Sequence, residues 1–383
     1  MGNESSNAKP FQAEPYILIE PHDNDNDMMA IPTTTSNTFS HSEKIYTMGF
    51  NAKWSMFLPN SITPRPRTSH FMVYLPDKNI AVVGYGIDGK DILLNDLWAL
   101  DLNQMKWKSL DFDNQSIVPR NGTTAVLVGS KIYLFGGFSG NAYLADLHTI
   151  DLSNFKVEHI NLPDQNKPSG RIGHVMAENN GQILIWGGYN GDWLSDLWIF
   201  NVATNQWREI PTDVKGRTSA AYASHGDFLY IFGAAATDSL LRFSWKSEKM
   251  ELIKSTGSPP PSELSAASMI AVDRFLLLFG GKLEKKKYGL MYGFDTVKSR
   301  WFIFHVIPDG VSTVLVDGMI DKNGRFMVPR IWSASIVYRK NKRDVVLFLG
   351  APLLEPPNLC VVQLGDALSI LHVENDLLDT LQF

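Results

Sequence analysis

Residues 170–210 read GRIGHVMAENNGQILIWGGYNGDWLSDLWIFNVATNQWREI. Four short runs rich in Val, Ile, Leu, Phe and Tyr alternate with Gly, Asn and Asp, which is the pattern of short strands joined by turns. Gly187 and Gly188 end the second run. Residues without a β-carbon permit positive φ and close approach of a neighbouring backbone. Asp196-Leu197 precedes the third run, where the carboxylate is expected to accept hydrogen bonds from turn amides. Trp207 falls in the fourth run and is expected to be a large apolar wedge.

The same unit recurs along the chain. One copy runs from Arg67 to Leu110 and contains NIAVVGYG and LNDLW, and the next runs from Arg120 to Leu162 and contains KIYLFGG and LADLHTIDL. A fourth starts at Arg217 with FLYIFGA, a fifth contains FLLLFGG and ends at Trp301, and a sixth starts at Arg330 with VVLFLGA. Gly86, Gly137, Gly188, Ala234 and Gly281 are spaced 51, 51, 46 and 47 residues apart. A four-stranded unit repeated at a period of about 50 residues is the signature of a propeller blade.

On the Gly-Gly pairs, the Asp-Leu positions, the tryptophans and the Arg-x-x-His openings at Arg67/His70 and Arg171/His174, the chain resembles the kelch-repeat family over about residues 43–375. The resemblance implies an all-β, kelch-type β-propeller of six or seven four-stranded blades, closed by N- and C-terminal strands. Departures leave the blade number open. Val157 stands where Trp is expected, the fourth unit lacks Asp-Leu, the fifth lacks its opening Arg near Glu263, and the sixth has Ala351 in the small pair. Lys44 to Pro59 (KIYTMGFNAKWSMFLP) reads as a third and fourth strand without a first and second. It either completes a blade begun by the C-terminus or belongs to a seventh, composite blade. Residues 1–42, rich in Asn, Asp, Ser and Thr, read as a flexible tail, and 376–383 as a short C-terminal tail. No BTB-like domain is expected ahead of the blades.

The 383 residues carry 44% hydrophobic and 11% aromatic residues, so the chain is globular, and a net charge of −5 gives no pull toward nucleic acid. The single cysteine, Cys360, and an N-terminus without an apolar core of signal-peptide length point to a cytoplasmic protein. No run approaches the length of a membrane span. Met1-Gly2-x-x-x-Ser6 matches the N-myristoylation pattern, which makes Gly2 a lipidation candidate and weak peripheral association with the inner membrane face an expectation.

Two groups are candidates for partner binding. Arg67, Arg120, Arg171, Arg217 and Arg330 open their units, where loops enter the innermost strands. Each either bonds loop carbonyls and a nearby Asp, or joins a ring of guanidinium groups at the channel that suits carboxylates and phosphates. In the family, similar positions can bind acidic peptides. The second group lies in the second-to-third loops: Phe138, Tyr189, Trp193 and Tyr288, with Lys285–Lys287 beside the last. An aromatic on a loop can anchor an interface.

Catalytic patterns are not found in the sequence. There is no nucleophile elbow, no HExxH and no close Cys/His group, so no metal or cofactor is expected. The family includes enzymes similar to galactose oxidase, a copper radical enzyme, but Cys360 sits beside no evident ligand set. The Glu-x-x-x-Asp-x-x-x-His iron motif of some plant members is not found. The expected function is a non-catalytic scaffold that binds a protein partner, an acidic peptide or a cytoskeletal protein among the family-level choices. The alternative is a sugar-active oxidase or isomerase with its site at the channel mouth.

Overall fold

The computed structural model describes residues 51–161, 166–234, 240–283, 286–287, 289–309, 333–353 and 356–364. Six innermost strands, Phe71–Leu75, Thr124–Val128, Val175–Asn179, Ala221–His225, Ser268–Val272 and Ser335–Arg339, surround a central channel. Each begins a four-stranded antiparallel blade. In blade 3 the strands are Val175–Asn179, Gln182–Trp186, Leu197–Asn201 and Gln206–Ile210, paired in that order. The second strand of every blade (IAVVG, KIYLF, QILIW, FLYIF, FLLLF, DVVLF) is apolar along nearly its whole length because blades pack against both of its faces. Outer strands return to alternation: in Gln206–Ile210, Trp207 points inward between the exposed Gln206 and Arg208.

The tryptophans of the outermost strands wedge blades together. Trp107 of blade 1 meets Phe348 of blade 6 at 5.7 Å between ring centres, Trp207 of blade 3 meets Phe135 of blade 2 at 5.8 Å, and Trp301 of blade 5 meets Phe232 of blade 4 at 5.0 Å. Each is an edge-to-face contact, a favourable geometry for buried rings.

The chain closes as a six-bladed propeller. The last blade consists of Ser335–Arg339, Asp344–Phe348, Leu359–Gln363 and, as its outermost strand, Asn51–Phe57 from the start of the chain. The upstream segment therefore completes the blade begun by the C-terminal residues, and the seven-blade alternative falls. Its third strand comes from Leu359–Gln363; residues 44–50 lie outside the described residues. The N-terminal strand also pairs in parallel with the outermost strand of blade 5, Arg300–Pro308, from Asn51↔His305 to Trp54↔Pro308. It thus covers one sheet edge and joins two blades.

At the channel mouth, Ser69, Gly122, Gly173, Ser219, Ala266 and Ser333 all hold φ between 52° and 64°. The amides of the last five donate in turn to the carbonyl of the preceding member, at 2.9, 3.4, 2.7, 2.7 and 2.8 Å. A left-handed backbone in a crowded ring explains why only Gly, Ala and Ser occur there. Three further bonds hold the junction of blades 6 and 1. Arg339 Nη1 donates to Leu102 O at 2.8 Å, the Gly350 amide donates to Arg67 O at 3.0 Å, and His70 Nε2 lies 2.7 Å from Ser335 Oγ.

Trp54 is fully buried among residues of blades 5 and 6. Trp54→Ala is expected to lower stability by about 3–5 kcal/mol. Ile62→Ala, at an 81% exposed residue of the following linker, should stay within about 0.5 kcal/mol. Urea midpoints of the two variants check this.

Candidate functional site

Strand direction puts two kinds of connection on one face: the entry into each innermost strand, and the second-to-third loop. The opening arginines sit at the base of this face. Arg171 is fully buried and grips Asp196 with both nitrogens, Nη1 to Oδ1 at 2.8 Å and Nη2 to Oδ2 at 2.7 Å. It also donates to Gly187 O at 3.1 Å and Ser169 O at 2.9 Å. Arg67 with Asp96 (2.5 and 2.9 Å) and Arg120 with Asp146 (2.6 and 2.8 Å) repeat the fork. A third donor reaches each carboxylate from two residues on: Trp98 Nε1 at 2.7 Å, His148 Nε2 at 2.9 Å and Trp198 Nε1 at 2.6 Å. Side-chain donors thus dominate where turn amides were expected.

Of the two alternatives for Arg67, Arg120 and Arg171, the structure shows the first, bonds to loop carbonyls and a nearby Asp, and not a ring of free guanidinium groups. Their guanidinium groups are 0% exposed and committed inside their own blades. The channel wall is built from the residues that follow them, Ser69, Gly122 and Gly173 among them. Arg217 is likewise buried and donates to Gly233 O at 3.2 Å. Arg330 and Tyr288 lie outside the described residues, as does Gly2. Blade 5 dispenses with the pair altogether: Leu264 takes the arginine position and Leu290 the aspartate position, both buried in one apolar cluster.

The glycine pair ties the same face together. In blades 1 to 4 the second member of the pair donates to the next blade at the arginine position: Gly86 to Arg120 O (2.9 Å), Gly137 to Arg171 O (2.9 Å), Gly188 to Arg217 O (2.7 Å) and Ala234 to Leu264 O (2.9 Å). A Cβ on Gly188 would stand 2.8 Å from Ile172 O. In blade 6 this pair is Leu349-Gly350, one residue earlier than Gly350-Ala351, because the second strand ends at Phe348.

The channel mouth, about 330 Å³, is lined chiefly by small side chains, with His70 and His174 among them. His174 is buried and its Nε2 meets Thr124 Oγ1. Burial, reinforced by the nearby Arg171 charge, holds its imidazole well below the usual histidine range. Burial alone would raise the Asp96, Asp146 and Asp196 carboxyls. Hydrogen bonds from Arg67, His148 with Arg120, and Arg171, together with the charges, outweigh it and hold them below the usual carboxylate range.

Above the arginines, three second-to-third loops carry an apolar pair at matching positions: Ile87/Leu93, Phe138/Tyr143 and Tyr189/Trp193. The four aromatic rings form one row across blades 2 and 3. Ring centres are 5.1 Å apart for Phe138–Tyr143, 6.0 Å for Tyr143–Tyr189 and 5.4 Å for Tyr189–Trp193. Trp193 is 67% exposed, and the other three are half-buried. The loops are fixed at their bases. Phe138 exchanges amide and carbonyl with Asn121 (3.1 and 2.8 Å), and Tyr189 does so with Ile172 (3.0 Å each). Leu93 faces Gly140 and Leu353 of blade 6 faces Gly89, so the apolar strip continues around the face. Blade 5 instead presents a hairpin, Lys282–Leu283 with Lys286–Lys287. Tyr143 was missed in the sequence reading. Its signal is the repeat register, four residues before the third strand, as Trp193 is.

Asp196→Leu leaves the buried Arg171 charge uncompensated and is expected to cost about 3–5 kcal/mol. Adding Arg171→Leu recreates the arrangement of blade 5 and should restore part of that loss, read from urea midpoints. The titrations also fix a direction. The unfolded chain protonates His174 near pH 6.5 while the fold resists it, so stability falls as pH drops below about 6.5. A second decline follows below about pH 4, where the unfolded carboxyls take up protons that Asp96, Asp146 and Asp196 refuse. His174→Gln should flatten the first decline in a series of thermal melts.

A model of the KLHDC2/KLHL20/DRC7 Kelch-repeats domain matches residues 26–234 and 164–314. Among curated relatives, the leucine-zipper-like transcriptional regulator 1 homolog of Drosophila melanogaster is 26% identical over 66% of this chain and 29% of its own length. Kelch domain-containing protein 10 of Xenopus laevis is 26% identical over 43% of this chain and 41% of its own. A protein of Thlaspi arvense named N-(sulfonatooxy)prop-2-enimidothioate sulfolyase is 25% identical over 58% of this chain and 72% of its own. The chain thus spans well under half of two of these relatives. With six four-stranded blades, the glycine-pair links and the family match covering most of its length, this chain belongs to the kelch-repeat family.

Proposed function

We propose that the chain is a non-catalytic interaction scaffold that holds a protein partner on the face carrying the second-to-third loops. The observation behind this reading is the row Phe138, Tyr143, Tyr189 and Trp193, with Trp193 67% exposed on a loop whose base is pinned by backbone hydrogen bonds. Large rigid aromatics bury much area at low entropic cost, and an ordered loop loses little freedom on binding. In this reading Arg67, Arg120, Arg171 and Arg217 position the loops, and Phe138, Tyr189 and Trp193 touch the partner. The family's interaction proteins support the same reading. The location proposed is cytoplasmic, with Gly2 as a reversible tether; among the described residues no helix is long and apolar enough to cross a membrane.

The rival reading is sugar chemistry at the channel mouth. The wall there consists largely of Ser, Thr, Ala and Gly, and its two histidines already face Ser335 and Thr124. That favours the scaffold.

Quantitative co-purification from the native cell tests the proposal. The pair Tyr189→Ala and Trp193→Ala is expected to reduce recovery of specific partners at least tenfold without changing the melting temperature. Val297→Ala, at a 67% exposed residue on the opposite face, should leave recovery unchanged. Equal recovery by all three proteins would reject this face as the binding surface.

A further inference from the structure

The row of rings says more about what it would hold, on the reading that this face binds a protein. We infer that it takes an extended, proline-rich segment of the partner, in the polyproline II conformation.

Ring geometry is the first reason. Tyr143 and Tyr189 cross at 85°, and Tyr189 and Trp193 at 61°. Crossed rings form notches rather than a flat platform, and a notch between aromatic faces admits a compact pyrrolidine ring. Steps of 5.1 to 6.0 Å along the row let alternate rings meet one side of a helix that repeats every three residues at about 3.1 Å per residue.

Hydrogen-bond chemistry is the second. A proline-rich segment offers carbonyl acceptors and few N–H donors. The row supplies the complement. Among the described residues, the Trp193 indole N–H and the Tyr143 and Tyr189 hydroxyls donate to no protein group. Charge is the third. The two loops, FSGNAY (138–143) and YNGDW (189–193), carry only Asp192 as an ionisable acid or base of ordinary pH, whereas the lysine hairpin lies away on blade 5. A neutral segment fits such a strip better than an acidic one. Preorganisation is the fourth: the loops are fixed at their bases, and a polyproline II segment is already extended, so little ordering entropy opposes docking.

An array of proline-rich dodecapeptides, each beside a copy with every proline changed to alanine, tests this with the full chain. The readouts are fluorescence anisotropy of labelled peptides and the emission of Trp193. Binding at least tenfold tighter to proline peptides than to their alanine copies is expected, weakened at least tenfold by Trp193→Ala. Tyr143→Phe, which keeps the ring and removes the donor, should weaken it several-fold, and Val297→Ala should not. No preference for proline, or a preference indifferent to Trp193→Ala, overturns the inference. Competition by neutral oligosaccharides at the row also overturns it. If the peptides fail while native partners are still lost on Trp193→Ala, the binding face stands and only the proline-rich ligand falls.

Discussion

A four-stranded blade cannot bury both of its faces alone, and the backbone contacts between blades are what the rest of this molecule depends on. Two sets of main-chain hydrogen bonds run around the axis. One links the left-handed residues at the channel mouth, and the other links Gly86, Gly137, Gly188, Ala234 and Gly350 to the carbonyl at the next blade's arginine position. Both need residues that tolerate positive φ and close approach, which is why Gly, Ala and Ser recur there. The apolar second strands and the tryptophan wedges then fill the space that this spacing leaves.

The buried arginines follow from the same constraint. Each strand-entry carbonyl is committed to a neighbouring blade, and the loop above it must be held from below. A guanidinium fork that satisfies an aspartate and two loop carbonyls does this in one residue. Blade 5 shows that the position does not require charge, because two leucines fill it by packing. The pair in blades 1 to 3 is therefore best understood as a fixed support under loops that face solvent. The aromatic row sits on that support, which explains how three half-buried rings and the exposed Trp193 keep a defined geometry.

The repeat, its period and the wedge tryptophans were legible in residues such as Gly187-Gly188, Asp196-Leu197 and Trp207, because local chemistry repeats with the blade. The partners of the charged groups were not. Arg171 and Asp196 are 25 residues apart, and only pairing of the second and third strands brings them together. Trp193 could be named as an exposed anchor from its loop, yet Tyr143 belongs to another blade and joins it only through the packing of blades 2 and 3.

By itself the sequence determined the all-β repeat, its period of about fifty residues, and which positions must be small. Local rules suffice for these, since turn geometry and apolar periodicity act over a few residues. The tertiary structure decided the blade count, the closure by Asn51–Phe57 against Leu359–Gln363 and the inward commitment of the arginines. Each of these depends on contacts between residues tens to hundreds of positions apart, which ring closure brings together and no local pattern encodes.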